Sequence, residues 1–282
     1  MNMEHIQIDT QNQQQVLAYE LIANTYSSFF LTGRAGTGKT TFLRNVQKMV
    51  NKQFITLAPT GVASILAGGD TIHSFFGLPM EVCTLGTCGK LNEARILTLL
   101  HADTIIIDEV SMVRCDIVDA IDYTLRRALR TTQPFGGKQI IFVGDMFQLP
   151  PVVRPGAERE LLHDIYQTDD FFFYKADAIK RMRLVKIEFQ KVYRQDDDQQ
   201  FLHILENVRM NKVTPENIML LNQRVKQPKT DDGMVITLAS HNNTADGINQ
   251  QRLTEIDAEE FTYEGTIAGK FDDKKLPVEL NL

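Results

Sequence analysis

A chain of 282 residues with 43% hydrophobic, 8% aromatic and 23% charged side chains can bury one large or two modest cores and is too apolar to stay disordered. Thirty Lys and Arg against 36 Asp and Glu leave a net charge of -6, so whole-chain charge gives no case for a polyanionic partner and any such surface must be local. The odd, sparse cysteines Cys83, Cys88 and Cys115 speak against a disulfide framework and, without a second Cys/His pair, against a zinc site; free thiols in a reducing interior are expected.

Met1 to Gln15 is rich in Gln and Asn and lacks the basic start, apolar run and cleavage site of a signal peptide. No apolar stretch approaches transmembrane length, so a cytoplasmic protein without membrane contact is expected, nucleoid-associated in a prokaryote. Short apolar runs at Phe29–Thr32, Phe54–Ala58, Thr104–Ile107, Ile140–Val143, Val185–Phe189 and Met234–Leu238 read as buried strands. Between them, Phe42, Leu43, Val46, Met49 and Val50 share one helical face, as do Ile117, Ile121, Leu125 and Leu129. Strand and helix in alternation predict an α/β fold with a parallel, doubly wound sheet. Gly68 to Asn92 reads as a loop-rich insertion. Lys180 to Arg194 carries six basic residues against Glu188 alone and reads as the entry to a second domain. Helices follow through Phe201, Leu202, Leu205 and Val208, and from Thr214-Pro215 onwards. The acidic stretch from Glu255 to Leu282 ends on an apolar alternation, as if cut off before its partner elements.

The strongest chemical signal is Gly33-Arg34-Ala35-Gly36-Thr37-Gly38-Lys39-Thr40, which follows a strand and opens a helix. Glycines in such a loop turn backbone N–H groups onto the α and β phosphates of a nucleotide. Lys39 reaches the β and γ phosphates, and the Thr40 hydroxyl takes a place on Mg²⁺. Ile105-Ile106-Ile107-Asp108-Glu109 puts a metal-holding Asp108 and a water-activating Glu109 at a strand end. Gly144-Asp145-Met146-Phe147-Gln148-Leu149-Pro150-Pro151 closes a third strand at the same rim. There Gln148 is either a γ-phosphate sensor or a capping side chain in a Pro turn. Asn51-Lys52 and Asn211-Lys212 both lack the Asp of a guanine-reading run, which disfavours a GTPase.

These blocks, with Ala58-Pro59-Thr60-Gly61-Val62-Ala63-Ser64, Thr71-Ile72-His73-Ser74-Phe75, Phe135-Gly136-Gly137 and Val192-Tyr193-Arg194-Gln195, resemble in content and order the Pif-type helicases of the RecD-like branch of superfamily one. The resemblance implies an ATP-dependent 5′ to 3′ translocase on single-stranded DNA and DNA forks, with ATP and Mg²⁺ between two RecA-like domains. It also implies a role in repair, replication or telomere-type genome maintenance. Residues 1–67 and 99–178 then form the first RecA-like domain, 68–98 a strand-separating wedge insertion, and 179–282 part of the second. Lys39, Thr40, Asp108 and Glu109 keep their roles, Gln148 becomes the γ-phosphate sensor and Arg194 a cation donated across the cleft. Gly33, Ala35, Gly36, Thr37, Gly38 and Thr41 complete the nucleotide loop. Gln13 takes the adenine-reading position, with Gln11, Gln14 and Gln15 as competing registers and Thr10 as a simple helix cap. Pro59, Thr60, Gly61, His73, Ser74 and Phe75 line the DNA strand, Phe75 and Phe76 being either base-stacking or core residues, and His241-Asn242 adds a weak second contact. A monomer is expected, with protein partners undetermined. The inserted barrel and later motifs of the family are missing after Arg194, so a nucleotide- and DNA-binding module without unwinding stands as the alternative. A metabolic P-loop kinase is disfavoured by Gln148 and Arg194.

Overall fold

The computed structural model describes residues 8–193, 199–225, 236–258 and 261. In chain order, α1 (Gln13–Asn24), β1 (Phe29–Gly33), α2 (Lys39–Met49), β2 (Phe54–Ala58), α3 (Gly61–Ala67), β3 (Asp70–Thr71) and α4 (Ile72–Phe76) lead to α5 (Glu93–His101) and β4 (Thr104–Ile107). Then follow α6 (Cys115–Ala128), β5 (Gln139–Gly144), α7 (Ala157–Tyr166), α8 (Asp177–Lys180), β6 (Val185–Phe189), α9 (Gln199–Arg209), α10 (Pro215–Asn222) and α11 (Asn242–Thr254). The strands form one parallel sheet in the order β3-β2-β4-β5-β1-β6.

Successive strand side chains point to opposite faces, and the apolar runs supply both. Phe29, Leu31, Ile106, Ile141, Val143, Ile187 and Phe189 pack with residues of α1 and α2 on one face. Phe30, Ile105, Ile107, Ile140 and Phe142 pack on the other with residues of α4, α5 and α6. A parallel sheet has to be covered on both sides, and the central strands β1, β4 and β5 are buried along their whole length. Val185–Phe189, expected as a buried strand, buries only Ile187 and Phe189 and leaves Val185, Lys186 and Glu188 exposed. Because all the strands run the same way, the ends of β1, β4 and β5 open on one rim.

Four expectations change. Val185–Phe189 is not in a second domain: it is the edge strand β6, bonded along β1 from Phe29↔Val185 to Gly33↔Phe189. A buried-strand pattern next to a basic stretch does not say which sheet it joins. The expected insertion from Gly68 to Asn92 opens with β3, paired to β2 through Leu57↔Asp70 and Ala58↔Thr71. It also sends Ile72, Phe75, Phe76, Leu78, Val82, Cys83 and Cys88 into the main core. Helix α1 is capped by Asn12, whose side chain accepts from Gln14 N and Gln15 N, and not by the exposed Thr10. Of the expected strand Met234–Leu238, the first two residues lie outside the described set and Ile236–Leu238 are not in a strand. The three cysteines are free and buried. The chain divides into two units, residues 1–221 and 222–282; the second contains α11, whose described residues are largely exposed. Among the described residues no helix is long and apolar enough to cross a membrane.

Candidate active site

The loop after β1 demands glycine for reasons of space as well as dihedral angle. A Cβ on Gly33 would lie 2.6 Å from the Phe189 carbonyl oxygen and 2.8 Å from Thr37 Oγ1. Gly38, at φ +79°, turns the chain into α2, and there the dihedral angle alone asks for glycine, since a Cβ would only touch the Tyr193 ring at 3.4 Å. Both positions hold a conformation that L-residues avoid. Thr37 is buried and donates to the Arg34 carbonyl at 2.9 Å. Lys39 Nζ donates to the carbonyls of Gly33 at 2.6 Å and Arg34 at 3.3 Å, which holds the ammonium at the loop. Burial pushes its pKa down, against the pull of Asp145, Glu109 and Asp108.

At the end of β4, Asp108 N donates to the Leu57 carbonyl at 2.8 Å, and Asp108 Oδ1 accepts from Glu109 N at 2.9 Å. Glu109 adopts the left-handed conformation, φ 50° and ψ 41°, an uncommon one for a non-glycine residue. Burial raises the pKa of both carboxyls, Asp108 adding to the effect on Glu109. A cleft of about 350 Å³ is lined by Thr40, Thr60, Asp108, Glu109, Ser111 and Gln148, among others. Thr40, Thr60, the Asp108-Glu109 pair and Gln148, picked out on four separate motifs, thus line one cleft. Ala35 and Thr41 are exposed at the loop and on the first turn of α2.

Gln13 is exposed at the first position of α1. Its neighbours Asn12 and Gln15 donate to the Tyr193 hydroxyl at 3.0 and 3.2 Å. That hydroxyl donates to Asp9 at 2.6 Å, and Lys191 Nζ reaches the same carboxylate at 2.6 Å. Lys191 and then Tyr193 hold the Asp9 carboxyl down at about 2. Tyr193 N also donates to the Gly36 carbonyl at 2.9 Å, so residues 191–193 clasp the glycine loop to the segment before α1. Arg194 and Gln195 lie outside the described residues.

Phe135-Gly136-Gly137 has a structural explanation. Phe135, at φ 52°, buries its ring 6.0 Å from that of Phe142, and its N–H donates to Asp122 Oδ1 at 2.7 Å. Asp122 Oδ2 takes Arg126 Nε at 2.9 Å and Arg181 Nη2 at 3.0 Å. The block is a pinned turn that delivers the chain into β5. Asp122→Ala would strand the buried Phe135 N–H and is expected to cost about 1–3 kcal/mol, read as a lower urea midpoint.

Towards the candidate DNA side, Pro59 is half-buried and Thr60 and Gly61 are exposed. Thr60 Oγ1 caps α3 by accepting Ala63 N at 3.2 Å. His73 is half-buried, its pKa lowered by burial and by Arg114, and Ser74 is exposed. Phe75 corrects the sequence reading. It is 3% exposed, packs edge-to-face on Phe76 at 5.0 Å and is covered by the Arg95 guanidinium at 4.6 Å. Neither ring is open to a base. His241 and Asn242 are exposed at the start of α11.

The sequence reading missed an ionic chain beside the cleft. Arg209 on α9 binds Asp145 through two contacts of 2.9 Å. Arg209 Nη1 donates to Glu206 at 3.0 Å, and Glu206 lies 3.7 Å from Arg34 of the glycine loop. Asp145 sat inside a motif already noted, whereas a lone Arg on a helix carries no sequence signal.

A family model for PIF1-like helicases matches residues 9–218. The chain belongs to the PIF1-like helicase family. It is 31% identical over 241 residues to the human ATP-dependent DNA helicase PIF1, covering 84% of this chain and 36% of the relative. It is 33% identical over 245 residues to the Pif1 helicase of Bdellovibrio bacteriovorus, covering 85% and 52%. A Bacteroides Pif1 helicase solved with ADP-AlF3 and single-stranded DNA is similar at a TM-score of 0.86 and 36% identity, covering 96% of this chain and 63% of that one. The sheet is therefore the RecA-like one of this PIF1-like family. The chain spans between a third and two thirds of the length of these relatives.

Proposed function

We propose that the chain serves an ATP-dependent 5′ to 3′ helicase or translocase on single-stranded DNA. The observation that carries this reading is the single cleft that gathers Thr40, Asp108, Glu109 and Gln148 beside the glycine loop. The loop and Lys39 hold the triphosphate of ATP, and Glu109 takes the proton of the attacking water as general base. Gln148, on the turn after β5, senses the γ phosphate. The Asp108 carboxylate and Thr40 hydroxyl are hard oxygen donors facing one cleft, a set that fits Mg²⁺; the ion supplies charge neutralisation at the β and γ phosphates. Gln13 reads adenine from the start of α1, and Arg194 is assigned the transition-state cation on its sequence block alone.

Pro59, Thr60, Gly61, His73 and Ser74 are proposed to follow the DNA backbone, with His241 and Asn242 as further contacts. The loop Gly77 to Asn92 suits a wedge at a fork. Arg114 grips its Glu81 carbonyl and Asp116 accepts Cys83 N, while Met80 and Leu85 are 64% and 66% exposed, and apolar side chains can part stacked bases. The relatives named above are called DNA helicases, and one was solved with a nucleotide analogue and single-stranded DNA; both support the reading.

ATP turnover measured with and without an unstructured DNA oligonucleotide tests it. Strong stimulation is expected, weakening as salt rises and phosphate contacts are screened. Oligonucleotide binding without turnover would instead favour a module that cannot unwind, which the partial coverage of the relatives keeps in view. Turnover indifferent to DNA would overturn both.

A further inference from the structure

We infer that Arg209 is a positioning residue for Gln148: its fork on Asp145 fixes the turn that aims the sensor and ties that turn through Glu206 to the glycine loop. Arg209 Nε meets Asp145 Oδ2 and Nη2 meets Oδ1, both at 2.9 Å, and the guanidinium stacks on the Phe147 ring with its carbon 4.4 Å from the centroid. Asp145 is 2% exposed, so its carboxylate needs a partner, and a planar fork satisfies both oxygens at once. The same carboxylate builds the turn. Oδ1 accepts Phe147 N at 3.1 Å, Gln148 Nε2 lies 3.5 Å from Oδ2, and the Asp145 carbonyl accepts Gln148 N at 2.9 Å.

The consequence is kinetic. Arg209 is on α9, Asp145 and Gln148 follow β5, and Arg34 follows β1, so three separate elements are fastened within one ionic chain. A displacement of α9 is transmitted to Gln148 and to the loop together. A misplacement of about 1 Å at a reacting group costs on the order of a hundredfold in rate. Arg209 therefore acts on turnover through Gln148, and its loss lowers kcat more than it weakens nucleotide binding.

This inference rests on the proposed ATP-hydrolysing role of the cleft. The test measures DNA-stimulated ATP turnover for the parent chain and for Arg209→Lys, Asp145→Asn and the double variant Asp145→Asn/Arg209→Gln, with thermal melting of each. Lysine keeps the charge but loses the fork, and asparagine keeps the shape of the carboxylate. Expected is a drop of about tenfold or more in kcat for each single variant while KM for ATP stays within about threefold. The double variant should fall no further than the worse single, because the pair acts as a unit. An active parent whose Arg209→Lys and Asp145→Asn forms keep its kcat, or whose losses multiply in the double variant, overturns the role of the pair and leaves the proposed function standing. A parent without turnover overturns the function, and the positioning role with it.

Discussion

Glu109→Gln is expected to bind ATP and oligonucleotide as the parent does while turnover falls about a hundred- to ten-thousand-fold, the range for a lost general base. Gln matches Glu in shape, and the left-handed backbone at position 109, φ 50°, asks the same of either residue. Asp108 also keeps its acceptor contact with the 109 backbone N–H. What disappears is the basic oxygen. Burial holds that carboxyl above the ordinary glutamate range, which makes it a stronger base than an exposed one. Single-turnover hydrolysis together with equilibrium binding of a fluorescent ATP analogue separates the two effects. Full activity in this variant would remove Glu109 as the water activator.

Lys39→Ala should lower turnover by about a hundred- to a thousandfold or more, the scale for removing a preorganised charge from a developing anion, and should weaken ATP binding as well. The ammonium is held by the Gly33 and Arg34 carbonyls at the loop and is partly desolvated, so its field on a phosphate is less screened than on an open surface. The first turn of α2 tolerates alanine, and melting of the variant should stay close to the parent. The contrast with Glu109→Gln is diagnostic: one variant loses grip and chemistry, the other chemistry alone. A Lys39→Ala form that turned over ATP at the parent rate would place hydrolysis in another site.

The relation between order of residues and function differs from element to element. Strands β1, β4 and β5 were legible because a parallel strand buried on both faces reads as a near-continuous apolar run, and each run is short and bounded. The glycine loop and the Asp108-Glu109 pair were legible because their pattern is local: a few adjacent residues after a strand carry the whole signal. Residue order alone therefore determined the fold class and the family, and it singled out Thr40, Asp108, Glu109 and Gln148, which the fold brings to one cleft.

Other features depend on partners far away in the chain, and no local pattern encodes them. β6 reads as a strand wherever it goes, and only hydrogen bonding along β1 assigns it to this sheet. Phe75 looks like a stacking aromatic until Phe76 and Arg95 cover it. Asn12 outcompetes Thr10 as a cap because its side chain reaches the free N–H groups of α1. The pairing of Arg209 with Asp145 spans 64 residues, and the Tyr193 hydroxyl finds Asp9 across 184. Burial and long-range pairing are properties of the folded surface as a whole. They decide which of several chemically able side chains is free to act, and they emerge only when the chain has closed on itself.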